Sequence, residues 1–89
     1  MKSHVTKAFR KCLVNLPPDI QNQARKAYRL WYQDHYHKSL QFKSVSQKQA
    51  IYSVRISIGY RALGLIKNKD IYWFWIGPHG EYDQLLKRN

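Results

Sequence analysis

The chain has 89 residues, with 16 Lys plus Arg against 5 Asp plus Glu and a formal charge of +11, yet 44% of it is hydrophobic and 15% aromatic. A disordered basic tail lacks the apolar residues that build a core, so this composition argues against disorder and predicts one folded domain over residues 1–89 that meets a polyanionic partner, nucleic acid or acidic protein. Only Glu81 and Asp83 among the carboxylates lie close in sequence, which argues against a two-metal nuclease or a two-carboxylate glycosidase.

No stretch reaches the roughly 20 apolar residues of a membrane span, and the first residues lack the apolar run of a signal peptide. Cys12 is the lone cysteine and has no partner for an internal disulfide. These features predict a cytoplasmic protein without a membrane partner. Gly-rich phosphate loops, CxxC pairs and GxSxG elbows are absent from the sequence, leaving His, Tyr, Arg, Lys or Glu81 to carry any chemistry.

In chain order, Val5, Phe9, Cys12, Leu13 and Leu16 recur at helical spacing and predict a first helix, capped by Ser3 or Thr6. Leu16-Pro17-Pro18-Asp19 breaks the period, and Pro18 with Asp19 suits the first turn of a second helix. That helix carries Ile20, Ala24, Ala27, Tyr28, Trp31 and His35 on one face, so the two form a hairpin. From Leu40 the period becomes two. Residues 40–45 read as a strand, as do Ile51 to Ile58 with Tyr52, Val54, Ile56 and Ile58 on one side, and Tyr60 to Ile66. Lys67-Asn68-Lys69-Asp70 is a turn, and Ile71 to Ile76 is apolar on both faces, as a covered central strand is. Glu81 to Lys87 adds a short helical tail. The expected fold is α+β, with an N-terminal helical hairpin packed on a four-stranded, mainly antiparallel sheet.

Arg55 and Arg61 flank the turn containing Gly59. A three-residue loop pairs Ser57 with Arg61 and sets both guanidiniums on one face, whereas a two-residue loop sets them on opposite faces. Such a pair suits a phosphodiester, because the guanidinium fork is planar and permanently charged, but strand arginines also simply solvate an exposed face. His79, in a loop after the Gly77-Pro78 kink with Glu81 and Tyr82 behind it, is placed either to move a proton in RNA cleavage by the 2′-hydroxyl or to make local turn hydrogen bonds. His35, His37 and Asp34 do not share a helix face, so no metal and no cofactor is expected; a helix end is their reading. Cys12 reads as a small core residue. Most of Tyr72, Trp73, Phe74 and Trp75 read as core, with base stacking as the alternative.

The segments Tyr52-Ser53-Val54-Arg55-Ile56, Gly59-Tyr60-Arg61-Ala62-Leu63-Gly64 and Trp73-Phe74-Trp75-Ile76-Gly77-Pro78-His79-Gly80-Glu81-Tyr82-Asp83, in that order after two helices and Leu40-Gln41-Phe42-Lys43, resemble the RelE/ParE superfamily of toxins from type II toxin–antitoxin systems. The resemblance spans nearly the whole chain. It implies a toxin whose partner is an acidic antitoxin. For RelE-like members it implies a metal-independent endoribonuclease acting on mRNA, typically in the ribosome, and for ParE-like members inhibition of DNA gyrase. Matched residue by residue, Arg61 stands at the arginine that contacts the scissile phosphate, with Arg55 in support. His79 is given the proton-transfer role, Tyr82 a stacking or orienting one, and Lys43, Arg55 and Arg61 the RNA contacts. The chain is expected to depart from the family in starting at its first helix, without the leading strand most members have, and it has Ser53 and Val54 where some ribosome-dependent members carry lysines. Besides the ribonuclease, a gyrase inhibitor and a non-catalytic RNA-binding relic are the rival readings.

Overall fold

The computed structural model describes residues 1–87; of the expected domain 1–89, the last two residues lie outside the described ones. The chain opens with a strand, β1 (Lys2–Val5), before α1 (Lys7–Val14) and α2 (Pro18–Gln33). A 3-10 turn at Lys38–Leu40 leads to β2 (Lys43–Ser44), β3 (Ile51–Ser57), β4 (Tyr60–Lys67), β5 (Asp70–Pro78) and α3 (His79–Lys87). The sheet has five strands in the order β1-β5-β4-β3-β2. All neighbours are antiparallel except β1, which runs parallel to β5.

The α+β expectation therefore holds, with one more strand than expected. Four residues are too few to show a period of two, and the partner of β1 is at the far end of the chain, so Val5 joins the helical stripe by spacing alone. The expected strand at residues 40–45 shrinks to Lys43–Ser44, because Leu40 closes the 3-10 turn and Gln41 is left-handed at φ 48°. The C-terminal helix starts at His79, before the expected Glu81.

Thr6 joins the first two elements. Its N–H continues the ladder to the Trp73 carbonyl at 3.1 Å, while its hydroxyl donates to that carbonyl at 2.8 Å and accepts from the Phe9 N–H at 3.2 Å, capping α1. Ser3 accepts from the Trp73 indole at 2.9 Å and shares a 2.7 Å hydrogen bond with the Tyr28 hydroxyl, tying β1, β5 and α2 together. At the end of α2 the His35 ring stacks on Trp31 at 4.0 Å and bonds the Trp31 carbonyl, satisfying a group the last turn leaves open.

The helices cover one face of the sheet. There Ala24, Ala27, Trp31, Phe42, Val54, Ala62, Ile71, Trp73 and Ile76 form the main core. Gly64 lies under it, where a Cβ would stand 2.8 Å from both Ile71 Cδ1 and Trp73 Cε3, so only hydrogen fits. On the other face α3 lays Tyr82 against Ile51 and Leu63, with Phe74, Trp75, Leu85 and Leu86 around them. A bulge allows β5 to serve both cores: Trp75 pairs with Leu63 and Trp73 with Gly64, leaving Phe74 as the extra residue. Asn68 and Lys69, at φ 54° and 70°, make the tight turn from β4 to β5.

Burial holds the Tyr28 phenol above its ordinary pKa, with Tyr32 adding to the rise and the Ser3 bond opposing it. The folded state keeps this proton longer, so the stability is complete below the unfolded phenol value of about 10 and is lost as pH rises through the folded value. Tyr28→Phe, followed by urea unfolding from about pH 8 to 11, is expected to flatten that decline and to cost about 1 kcal/mol at neutral pH for the Ser3 bond.

Candidate functional site

The β3–β4 connection is the two-residue turn Ile58-Gly59, with Ser57 paired to Tyr60. By simple alternation this would set Arg55 and Arg61 on opposite faces. A bulge between Arg55 and Ser57 instead pairs Arg55 directly with Arg61, so both rise from the face that α3 partly covers. The sequence expectation that a two-residue loop separates them is corrected by this single extra residue, Ile56, which local spacing does not reveal.

That face is apolar under α3 and basic beyond it. Ser53 and Leu63 lie under Tyr82, and one pleat further toward the turn come Arg55 and Arg61, both half-buried. Lys43 pairs with Ser53 from the edge strand and so stands on the same face, exposed. Arg61 also pairs with Gly77 of β5, two residues before His79. The His79 N–H donates to the Gly59 carbonyl at 2.8 Å, clasping the start of α3 to the arginine turn. The structure thus gathers Arg55, Arg61 and His79 at one end of the sheet, with Lys43 on the flank.

Arg61 and Arg55 are held differently. Nη1 of Arg61 donates to the carbonyls of Ser57 at 2.7 Å and Tyr60 at 2.9 Å, so one corner of its guanidinium caps the turn. Arg55 makes no side-chain hydrogen bond among the described residues. Tyr82 is 7% exposed, and its hydroxyl donates to Ser53 at 3.3 Å while its ring lies 5.5 Å from that of His79. This placement suits orienting His79, and leaves little of the ring for a base.

Asp83 is the residue that sequence reasoning passes over. His79 Nδ1 stands 3.2 Å from Asp83 Oδ2, one helical turn on, with both side chains about half exposed (45% and 52%). An i,i+4 spacing is a visible signal once α3 is known to start at His79. The carboxylate lies within ion-pair distance of Nδ1, so it can hold that side of the imidazole and leave Nε2 as the nitrogen available for other work. Elsewhere, among the described residues, no group of three or more His, Cys, Asp or Glu side chains gathers as metal ligands would, and no helix is long and apolar enough to cross a membrane. His35 sits at the end of α2, where the sequence reading places it, whereas His37 caps the start of the 3-10 turn by accepting from the Ser39 N–H.

The sequence model of the ParE-like toxin domain matches residues 18–84, from the start of α2 through the His79 to Asp83 segment. The chain belongs to the ParE-like toxin domain family. It is a toxin of the RelE/ParE superfamily of toxin–antitoxin systems. No curated protein sequence matches it significantly. Among solved structures, the RelB–RelE antitoxin–toxin complex from Methanococcus jannaschii is similar with a TM-score of 0.73 at 14% identity, over 92% of this chain and 96% of that one. The RelBE2 toxin–antitoxin complex from Mycobacterium tuberculosis gives 0.67 at 20% identity, over 86% and 95%. The isolated E. coli RelE toxin gives 0.63 at 15% identity, over 98% and 96%. At these identities the likeness concerns the fold.

Like charges directly opposite each other on a sheet are destabilising, and of the two arginines only Arg61 is compensated by carbonyls. Arg55→Ala is therefore expected to leave stability unchanged or raise it by about 0.2–1 kcal/mol. Arg61→Ala should lower it by about 1–3 kcal/mol through the lost charged hydrogen bonds. Urea unfolding of the two variants beside the parent checks the contrast.

Proposed function

We propose that this toxin is a metal-independent endoribonuclease of mRNA, neutralised by an acidic antitoxin. The observation that carries the reading is the pairing of Arg55 with Arg61 beside the clasp of His79 to Gly59, which sets two fixed cations and an imidazole around one end of the sheet. In RNA cleavage the 2′-oxygen attacks the adjacent phosphorus as the 5′-oxygen leaves, giving a cyclic phosphate and a free 5′-hydroxyl. One proton leaves the 2′-hydroxyl and one reaches the 5′-oxygen. His79, oriented by Asp83, serves one of these transfers, while Arg61 and Arg55 stabilise the charge that builds on the phosphate. Lys43 holds the backbone of the strand, and Tyr82 fixes the imidazole from below. Support for the antitoxin comes from the +11 charge and from the similar solved structures, of which those from Methanococcus jannaschii and Mycobacterium tuberculosis hold toxin with antitoxin.

One observation favours a second reading. The matching family model is the ParE-like one, and for ParE-like members the resemblance implies inhibition of DNA gyrase. Purified protein tested on mRNA with and without ribosomes, and on gyrase supercoiling, separates the two. The ribonuclease reading expects cleavage, reduced about 10²- to 10⁴-fold in His79→Ala and about 10²- to 10³-fold in Arg61→Ala with the fold checked by circular dichroism. Cleavage that survives replacement of both residues overturns the site. Intact mRNA with arrested supercoiling establishes the gyrase reading, and intact mRNA with active gyrase establishes the relic.

A further inference from the structure

The face of the sheet away from the arginine pair carries a second concavity. Between α1, α2 and the sheet lies a cavity of about 260 Å³, walled by Phe9, Leu13, Ala24, Trp31, Ile56 and Trp73. It follows from how α1 is seated. Phe9 and Leu13 pack against the core while no residue of α1 is fully buried, and their inward side chains form one wall of the space. Apolar cavities of this kind stay dry and accept apolar guests; one of about 150 Å³ takes benzene, so this one suits a guest on the order of ten heavy atoms.

The charge around the cavity specifies the guest further. The charged residues bordering the cavity are Arg10 of α1 and Arg25 of α2, both exposed, and no carboxylate borders it. An apolar pocket with two guanidiniums at its mouth favours a molecule with an apolar body and an anionic head. Trp31 forms part of the apolar wall at 1% exposure, which suits the apolar body of such a guest.

We infer that this cavity binds a small amphipathic anion, a carboxylic acid with a short aliphatic or aromatic body, with its carboxylate at Arg10 and Arg25. The site is separate from the arginine turn and does not depend on the ribonuclease reading. The test uses octanoate and octan-1-ol as probes of equal length, titrated into the full chain and followed by calorimetry and by tryptophan fluorescence, since Trp31 and Trp73 line the wall. Octanoate is expected to bind about tenfold or more tightly than octan-1-ol. The double variant Arg10→Gln, Arg25→Gln, altered only at exposed positions, should reduce octanoate to the level of the alcohol and leave the alcohol unchanged. Ala24→Leu should fill the space and abolish both. Should that variant fail to fold, the arginine variant still decides. No octanoate binding, equal binding of acid and alcohol, or undiminished octanoate binding by the arginine variant overturns the proposal.

Discussion

The segment Ile71 to Ile76 is apolar in both directions, so β5 must have protein on both faces and strands on both sides. Each of those four needs is met by a different element. β4 supplies the antiparallel neighbour through a tight turn, and β1 supplies the parallel one from the other end of the chain. The helical hairpin covers Trp73 and Ile76, while α3 covers the side bearing Phe74 and Trp75. The bulge at Phe74 is what permits this, because strict alternation would send one of the two tryptophans to the wrong core. Burying aromatics at roughly 25 cal/mol per Å² makes this the chief source of stability for so small a chain.

With β5 fixed, the functional end of the molecule follows. The strand runs directly into α3, so His79 emerges where β4 and β5 meet the β3–β4 turn, and the bond to Gly59 locks that meeting point. The arginine pair is the feature that stability alone does not explain. Two guanidiniums set opposite each other are an unfavourable arrangement in a free protein, and a bulge in β3 is needed to create it. Arg61 relieves part of the repulsion by turning one corner into the carbonyls of its own turn. Such a local conflict between packing and charge is common where a site is built for a ligand, and it is the reason the arginine pair carries the proposed function. Because Arg61 also caps the turn, the proposed ligand role and the structural one fall on the same side chain, and its replacement is expected to affect fold and activity together.

Much of this was legible in the sequence, and the exceptions have physical causes. The helix stripes through Phe9 and Leu13 and through Ile20, Ala24, Ala27 and Trp31 are long enough for a period to emerge, and the two-faced apolar run of β5 identifies itself. Strand β1 does not, because its four residues gain their meaning from a partner at the far end of the chain. The bulges at Ile56 and Phe74 are equally silent, since an extra residue changes no local pattern while reversing every side chain beyond it. Arg55, Arg61 and His79 were visible as residue types and from family resemblance. Their convergence was not, because it depends on one bulge and one backbone hydrogen bond. The pairing of Asp83 with His79 is hidden for a related reason, because a helix expected from Glu81 does not include His79 and so shows no helical spacing between them.

The central claim is that the end of the sheet bearing Arg55, Arg61 and His79 is where this basic chain receives its polyanion. Nuclear magnetic resonance titration with a short RNA methylated at its 2′-oxygens, which binds without being cut, tests it most directly through the arginine, lysine and histidine side-chain signals. The account predicts that Arg55, Arg61, His79 and Lys43 shift together along one binding curve. Shifts confined to Arg25, Lys26 and Arg29 of α2, with the arginine pair unmoved, would contradict it.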